Sequence, residues 1–385
     1  MKYDFTYYNP TKIYFGKTAL DHLEAELVHY GENILLIYGG SSLKKFGLYE
    51  KIIKILRQSG KKIAELDKIP SNPTYDKVAE GAALVRERKT DLILAAGGGS
   101  VIDAAKAVSA AAYCPGDPWE RYWLRQEEPD HKTVPIASIL TMAGTGSEMN
   151  GGSVITNTEQ RLKIGKTFGP ALYPRFSILN PEFTYTVPSY QMKSGIFDIM
   201  SHLMEQYFGG EEESTSDYLI EGLLRSLIAS TPKALKNERD YEARSDIMWT
   251  STVALNTLVG KGKDQDWEVH MIEHQLGAYT SCAHGMGLAA ISIPYYRYIY
   301  RCGLKKFARF ARNVWGLQGE DEEALASGGL DCLENFIRES GMVTSLRELG
   351  ASEDILEKIA ESSYKGGGYK KMEKEDILAV LKACY

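Results

Sequence analysis

The chain has 385 residues, of which 44% are hydrophobic and 25% charged, with a formal net charge of −6. This length predicts two domains, since a single hydrophobic core rarely grows beyond about 250–300 residues. The acidic balance, without a long basic run, argues against a nucleic-acid partner. The sequence contains no run of about 18 apolar residues, so no membrane span is expected. The first residues lack a secretory pattern, and the five scattered cysteines show no CxxC pair, so we expect free thiols and a cytoplasmic location.

In the first half, short apolar runs alternate with helical patterns. Four runs predict buried strands, at 33–38, 91–97, 134–140 and 175–180. Two stretches predict amphipathic helices, at 48–60 and 74–88. This alternation is typical of a parallel sheet covered by helices.

The second half has almost no strand-like runs. Its periodic patterns predict eight helices, at 190–208, 215–230, 240–260, 266–279, 285–300, 303–315, 321–340 and 352–363. The change of texture falls in NPEFTYTVPSY, residues 180–190. We therefore predict an α/β Rossmann-like nucleotide-binding domain over 1–187 and an all-helical domain over 188–385. A cleft between two domains is a common place for a small-molecule site.

A glycine-rich turn, AAGGGSVIDAAK at 95–106, follows one predicted strand and opens a helix. Gly97, Gly98 and Gly99 permit a tight turn and close approach of a ligand. The free N–H groups of the following helix start suit a pyrophosphate, and Ser100 adds a hydroxyl donor. A plain strand-to-helix turn without a ligand is the simpler alternative. The segment does not match the GxGxxG motif of dinucleotide-binding folds. A second polar turn, TMAGTGSEMN at 141–150, could line the same ligand, although such composition suits any loop.

Histidines cluster in the helical half. Asp198 and His202 are four residues apart, which places them on one helix face, and HMIEH does the same for His270 and His274. His284 follows ten residues later, among glycines that permit a turn. A single histidine is usually an ordinary core or surface residue, but this grouping favours a metal site. One carboxylate with imidazoles suits Zn²⁺ or Fe²⁺ better than Ca²⁺ or Mg²⁺.

HMIEH also fits H-x-x-E-H, the helix motif of inverted zinc peptidases, with Glu273 as the base. This alternative leaves the GGGS turn unexplained and gives Asp198 and His202 no role. A metalloprotease would not be expected to bind NADPH, which separates the two hypotheses.

Taken together, GGGSVIDAAK, the AGTGSE turn, FDIMSHLMEQY and HMIEHQLGAYTSCAHGMG resemble the iron-containing (group III) alcohol dehydrogenase family, nearly end to end. YGGSSLKKFG, SNPTYDKV, DPWERYW and QDWEVHMIEH look most similar to its butanol dehydrogenases and NADPH-dependent aldehyde reductases. The resemblance implies the dehydroquinate synthase-like fold and one divalent metal held by Asp198, His202, His270 and His284. It implies that His274 lies beside the nicotinamide and substrate as a catalytic proton relay.

The resemblance also implies a set of cofactor contacts: Gly39, Gly40, Ser41, Asn72, Gly98, Gly99, Ser100, Asp103, Thr141, Thr145 and Lys163. Members that use NAD often carry an Asp in the loop matching YGGSS, where this chain has Gly40. An acid there would repel a 2′-phosphate, whereas glycine backbone, Ser41 and Lys44 or Lys45 could accept one. We therefore expect NADP(H) to be preferred over NAD(H).

The predicted function is hydride transfer between a nicotinamide and a small alcohol or aldehyde, such as butanol or butyraldehyde. The metal would polarise the substrate oxygen. Fe²⁺ or Zn²⁺ is expected, while Ni²⁺ and Co²⁺ also suit such ligands. A homodimer is expected from the family, and residues 2–8 are β-prone enough to pair across a two-fold axis or in a hairpin within one chain. Two further alternatives are a dehydroquinate-synthase-like lyase and an inactive metal-binding scaffold. Such lyases normally have a denser set of basic residues for an anionic substrate.

Overall fold

Aliphatic and β-branched runs form a six-stranded parallel sheet in the first part of the chain. In this computed structural model, which describes residues 1–40, 42–45, 47–363 and 366–385, the strand order is β1-β8-β5-β4-β2-β3. The six strands are β1 (Lys12–Phe15), β2 (Asn33–Tyr38), β3 (Lys62–Leu66), β4 (Leu92–Gly97), β5 (Ile136–Leu140) and β8 (Phe176–Leu179). A separate antiparallel hairpin consists of β6 (Gly152–Asn157) and β7 (Leu162–Thr167).

Helices connect most of the parallel strands, whereas the hairpin β6–β7 lies between β5 and β8. The helices are α1 (Leu23–Leu27), α2 (Ser42–Lys45), α3 (Leu48–Gln58), α4 (Tyr75–Arg88) and α5 (Gly99–Ala111). A π-helical turn covers Trp119–Leu124, and 3₁₀ turns cover Ala19–His22, Ser147–Met149, Pro170–Leu172 and Pro181–Thr184. One sheet face packs its alternate residues, such as Leu36, Leu94 and Ile139, against Leu23 of α1 and Ile52 of α3. The sheet is thereby buried under helices.

The strand order reverses beside β2. The chain runs from β2 to β3 on one side, then returns through α4 to β4 on the other side of β2. Such a reversal leaves a crevice at the carboxyl ends of β2 and β4, where open α/β sheets bind their ligands.

The rest of the described chain is helical. Its helices are α6 (Ser189–Tyr207), α7 (Thr215–Lys236), α8 (Tyr241–Ala254), α9 (Glu268–Thr280), α10 (His284–Ile299), α11 (Leu304–Asn313), α12 (Glu322–Glu339), α13 (Glu353–Ser362) and α14 (Lys374–Ala383), with 3₁₀ turns at Tyr300–Gly303 and Arg347–Leu349. Within the described ranges, none of these helices has the length and apolarity needed to cross a membrane.

The α/β-then-helical fold is confirmed, including all eight predicted helices of the second half. Sequence patterns missed β1 and β3, which are short edge strands with partly exposed residues, and the partly buried hairpin β6–β7. They also missed α14. Edge strands lack the continuous apolar run that marked the central strands.

The chain divides into two compact units, Tyr8–Val187 and Met1–Tyr7 with Pro188–Tyr385. The break between the units therefore follows Val187. The first seven residues belong to the helical unit, whereas the predicted range 1–187 placed them in the α/β domain. Backbone amides of Lys2 and Tyr3 donate to the Gly262 carbonyl oxygen, at 2.7 and 3.3 Å, and the Tyr3 hydroxyl donates to Asp264 at 2.8 Å. These polar contacts hold the terminus, and the described residues 1–10 form no strand and no hairpin.

Candidate metal centre and cofactor edge

Three helices of the second unit bring the predicted metal ligands together. Asp198 and His202 lie one turn apart on α6, and His270 lies on α9. α9 ends at Thr280, and the left-handed backbone of the next residue, Ser281 (φ 56°), turns the chain so that His284 starts α10. Asp198, His202 and His270 are almost fully buried.

The imidazoles converge on one carboxylate oxygen. The Nε2 atoms of His202, His284 and His270 lie 3.4, 3.5 and 3.6 Å from Asp198 Oδ1. In a tetrahedral site with metal–ligand bonds of about 2.0–2.1 Å, ligand atoms are separated by roughly 3.3–3.4 Å. The three distances from Asp198 Oδ1 are therefore close to the edge length of a tetrahedral metal site, and the ligand atoms of Asp198, His202 and His270 all lie within 4.8 Å of one another.

Two of these atoms are buried without a hydrogen-bond partner among the described residues, Asp198 Oδ1 and His270 Nε2. A buried polar atom without a partner is costly, so native proteins rarely retain one without a ligand, ion or water. This donor set, one carboxylate and three imidazoles, fits a divalent cation such as Zn²⁺ or Fe²⁺.

Electrostatics in the cluster favours a cation. Burial acts to raise the pKa of Asp198, but the imidazoles of His202, His284 and His270 more than offset it and hold this pKa well below its usual range. Burial likewise acts to lower the pKa of His270, while Glu205 and Asp198 raise it to about 10. The cluster therefore stabilises positive charge at its centre.

Two fully buried glutamates support the imidazoles from behind. Glu205 Oε1 accepts a hydrogen bond from His270 Nδ1, and Glu273 Oε2 accepts one from His284 Nδ1. Both pairs use the ring nitrogen opposite the one that faces Asp198. Carboxylates in this position commonly orient histidine ligands of metals.

His274 lies one helical turn beyond His270 and is 5% exposed. Its ring centroid lies 5.7 Å from that of His284 and 6.2 Å from that of His270. Ligand atoms of Glu273, His274 and His284 fall within 4.8 Å of one another, so the predicted relay histidine borders the cluster.

The HxxEH alternative assigned Glu273 the role of a base that activates water. Its carboxylate instead contacts the His284 ring and the Cys282 thiol, with Sγ 3.9 Å from Oε1. The glutamate is fully buried, so the structure favours an orienting role over a peptidase base.

Several predicted cofactor residues of the first unit lie at the carboxyl edge of the sheet. Tyr38 at the end of β2 pairs in register with Ala96 of β4, and the amide of Thr141 donates to Gly97 O at 3.0 Å. Gly39 follows directly, and a Cβ there would meet the Val101 side chain of α5 at 3.7 Å. Three adjacent strand ends thus present their turns side by side, where the strand order reverses.

The glycine-rich turn is tightly packed. A Cβ at Gly99 would lie 2.3 Å from Thr145 Oγ1, so Gly99 gives the second polar turn room to approach. The hydroxyl of Ser100 donates to the carbonyl of Ser71, which ties the loop containing Asn72 to the start of α5. Gly98 caps α5, whose first amides have no partner within the helix and can bind an anion. No described atom lies within 4 Å of a Cβ added at Gly40, and Ser41 lies outside the described residues.

Asp103 is buried one turn deeper in α5. Its Oδ1 accepts from the Ser147 hydroxyl at 2.5 Å and its Oδ2 from the Val154 amide at 2.9 Å. The fully buried Lys106 donates to Ser147 Oγ at 2.7 Å and to Gly152 O at 2.8 Å, and its burial lowers its pKa to about 8. This pair anchors the second polar turn and the hairpin to α5.

Lys163 is buried on β7, opposite Thr156 of β6. The Thr156 amide donates to Pro73 O at 2.9 Å, which brings the hairpin beside Asn72. Thr156 Oγ1 is buried without a partner among the described residues. Lys163 and Thr156 are therefore register partners in the hairpin, beside the loop that contains Asn72.

Sequence patterns did not predict roles for Glu205 and Lys106. Glu205 continues the i, i+4, i+7 stripe of Asp198 and His202, a signal available from spacing alone. Lys106 carried no comparable signal, because its partners are a hydroxyl, an amide and a carbonyl some forty residues away.

Comparison with known proteins agrees with these observations. The family description "Iron-containing alcohol dehydrogenase" matches residues 10–181, and "Fe-containing alcohol dehydrogenase family, C-terminal" matches residues 192–385. The chain is 37% identical to NADH-dependent butanol dehydrogenase A of Clostridium acetobutylicum, over 99% of each chain. It is 35% identical to NADPH-dependent aldehyde reductase YqhD of Escherichia coli, over 90% of this chain and 89% of that one. The crystal structure of NADH-dependent butanol dehydrogenase A from Thermotoga maritima has a TM-score of 0.95 at 34% identity, covering 100% of this chain and 99% of that one.

The class that these findings define is an NAD(P)-dependent oxidoreductase of alcohols and aldehydes. Within it, the chain belongs to the iron-containing alcohol dehydrogenase family. Membership implies a divalent metal and a nicotinamide cofactor.

Proposed function

We propose that this chain reduces short-chain aldehydes, and oxidises the matching alcohols, at a metal held by Asp198, His202, His270 and His284. The observation that carries the proposal is the convergence of three imidazole Nε2 atoms on Asp198 Oδ1, at 3.4–3.6 Å. When bound, Fe²⁺ or Zn²⁺ supplies Lewis acidity that polarises a carbonyl or stabilises an alkoxide.

The nicotinamide cofactor is proposed to lie along the carboxyl edge of the sheet. The amides at the start of α5 and the hydroxyls of Thr141 and Thr145 are suited to bind its pyrophosphate. The buried ammonium of Lys163 is suited to bind a ribose hydroxyl near the nicotinamide. In this proposal the glycine turn fixes the cofactor, so that its reactive ring carbon is held in one orientation.

NADP(H) is proposed as the preferred form. Gly40 presents no carboxylate at the end of β2, and no described atom lies within 4 Å of a Cβ added there. A 2′-phosphate meets no negative charge from Gly40 itself. The relatives named above differ in this respect, since one is named for NADH and the other for NADPH.

His274 is proposed to exchange the substrate proton with solvent. It borders the ligand cluster, with its ring centroid 5.7 Å from that of His284. An imidazole is suited to this task because its ordinary pKa lies near neutral pH.

We propose that the enzyme acts in the cytoplasm, as a homodimer. All five cysteines are free thiols, which fits a reducing compartment. The N-terminal segment exposes Tyr3, Phe5, Tyr7 and Tyr8, with Tyr8 at 63%, and exposed aromatic residues are typical of protein interfaces. Sedimentation equilibrium would show a dimer mass, and a monomer mass at all concentrations would contradict this part.

Absorbance at 340 nm tests the function directly. Purified enzyme, assayed with butyraldehyde and either NADPH or NADH, should oxidise NADPH faster, and chelation should abolish turnover. A faster reaction with NADH would overturn the cofactor preference alone. Gly40→Asp should shift the preference toward NADH, because the new carboxylate repels a 2′-phosphate. Bound metal with no turnover of either cofactor would overturn the proposed reaction and favour the lyase alternative.

A further inference from the structure

The side chain of Lys106 is fully buried on α5, about two turns beyond the glycine-rich start of that helix. Its Nζ donates to Ser147 Oγ at 2.7 Å, to Asn150 Oδ1 at 3.1 Å and to Gly152 O at 2.8 Å. These three acceptors match the three protons of an ammonium group. Two of them belong to the second polar turn, and the third begins β6. Asn150 also shapes that turn, because its side-chain amide donates to Gly146 O at 2.9 Å.

Ser147 connects this anchor to Thr145. The Ser147 hydroxyl accepts from Lys106, and the Ser147 amide donates to Thr145 Oγ1 at 3.2 Å. Thr145 in turn lies at the start of α5, because a Cβ built at Gly99 would be 2.3 Å from Thr145 Oγ1. The second polar turn therefore contacts one helix at two places, at its start beside Gly99 and at Lys106.

We infer that Lys106 is a positioning residue for the nicotinamide cofactor, whose positive charge holds the second polar turn so that Thr145 stays beside the start of α5. This inference rests on the proposed function, in which the amides of that helix start and the Thr145 hydroxyl bind the pyrophosphate. Lys106 is fully buried, so it acts through Ser147 and Thr145. Because the pyrophosphate is common to NADP(H) and NAD(H), affinity for both should depend on Lys106.

The charge of Lys106 matters because a neutral amine has only two protons for the three acceptors. Burial lowers the pKa of Lys106 to about 8, although the carboxylates of Asp103 and Glu148 act to raise it. Asp103 lies on α5 itself and Glu148 in the 3₁₀ turn of the second polar turn, while β6 faces the ammonium with the Gly152 carbonyl. As the pH rises through this pKa, the turn loses one contact, so cofactor affinity should fall.

Two variants and a matched control isolate the anchor. Lys106→Met removes the ammonium and keeps an unbranched, flexible side chain suited to a buried site. Ser147→Ala removes one acceptor of Lys106 and keeps the amide that donates to Thr145. Ser109→Ala is the control, because Ser109 is fully buried on the same helix and its hydroxyl donates to Val134 O at 2.7 Å. The control therefore removes a buried hydrogen bond of α5 that does not involve the second polar turn.

The test titrates the full-length enzyme with NADPH and with NADH, followed by cofactor fluorescence. In Lys106→Met the Kd of both should rise by roughly 10–100-fold, which corresponds to one lost hydrogen bond to a charged group. The ratio of the two Kd values should stay that of wild type. The kcat at saturating cofactor should also stay near wild type, because the lost contacts concern binding. Ser147→Ala should show a smaller rise, and Ser109→Ala none.

Amide hydrogen exchange of the cofactor-free protein, measured by mass spectrometry, tests the anchor without any ligand. Residues 141–152 should exchange faster in Lys106→Met and in Ser147→Ala, and at the wild-type rate in Ser109→Ala. The pH dependence separates the charge from a merely structural role. The Kd of Lys106→Met relative to wild type should be largest near pH 7 and should fall as the pH rises through about 8.

A wild-type Kd in Lys106→Met, or unchanged exchange of residues 141–152, would overturn the inference. Equal losses in Ser109→Ala would also overturn it, since they would indicate general destabilisation of α5. A relative Kd that does not vary with pH would remove the role of the charge. If Lys106→Met failed to fold, Ser147→Ala would decide by the same two measurements. Wild-type enzyme that binds neither cofactor would instead refute the proposed function, while hydrogen exchange would still decide whether Lys106 anchors the turn.

Discussion

The ligand cluster of the helical unit and the cofactor edge of the α/β unit are built from different parts. The cluster consists of side chains, with Asp198 and three histidines from α6, α9 and α10 meeting at 3.4–3.6 Å. The edge consists largely of backbone, at turns whose glycines remove side chains from the space a ligand needs. In the ligand cluster, the effect of a mutation should therefore depend mainly on the chemical groups that it removes. At the cofactor edge, it should depend mainly on the volume that the new side chain adds.

Removing the central carboxylate should give the largest effect. Asp198→Ala deletes the oxygen around which the three imidazoles gather, so the metal affinity should fall by more than about 100-fold, beyond the usual cost of a lost orienting partner. Activity should fall to background. Inductively coupled plasma mass spectrometry measures the metal content, with exposed Asp331→Ala as the control. Normal metal content in Asp198→Ala would place the metal elsewhere.

His274→Ala separates proton transfer from metal binding. Turnover should fall by roughly 10²–10⁴-fold, the usual contribution of a general acid–base group. Metal content should stay near that of wild type, since the other four residues suffice to hold an ion. Steady-state kinetics and metal analysis on the same sample measure both quantities, with the exposed His29→Ala as a control. A parallel loss of metal would make His274 a ligand.

Gly99→Ala tests the shape argument at the cofactor edge. Its Cβ would lie 2.3 Å from Thr145 Oγ1, and such overpacking typically costs about 1–3 kcal/mol. We expect a raised KM for the cofactor and a lowered Tm, with unchanged metal affinity. Gly40→Ala should leave Tm unchanged, because its Cβ meets no described atom within 4 Å. An unaltered KM in Gly99→Ala would contradict a close fit of the cofactor there.

The last prediction concerns stability alone, because Lys106 should contribute to its pH dependence. Burial lowers its pKa from 10.5 to about 8 in the folded chain, so between these values the unfolded chain binds more protons. The free energy of unfolding therefore gains a positive slope over this range. Lys106→Met should lose this contribution, so wild type should gain stability over the variant from pH 8 to 10.5, as denaturant titrations can measure. A difference independent of pH would contradict the burial of a titrating ammonium.

The same contrast explains what could be predicted from sequence. The i, i+4 pairs of Asp198 with His202 and His270 with His274 are local, so one helix repeat suffices to see them. The central strands were equally visible as apolar runs, whereas β1 and β3 at the sheet edges were not.

Long-range partners were harder to predict. That His284 joins the cluster depends on the turn at Ser281 and on the packing of α10 against α6. The contact of Glu205 with His270 spans 65 residues, and Lys106 reaches Asn150 over 44. Sequence spacing within one helix carries no information on such contacts. For the same reason, spacing could not show that Asp103 anchors the hairpin β6–β7 at the cofactor edge.

Anomalous diffraction from crystals of the metal-loaded enzyme tests the central claim most directly. Data collected on both sides of the Fe or Zn absorption edge locate the ion and identify it. We expect one peak within about 2.0–2.2 Å of Asp198 Oδ1 and of the Nε2 atoms of His202, His270 and His284. A peak bound by His274 or Glu273 in place of Asp198, or no peak in this cluster in an active enzyme, would contradict it.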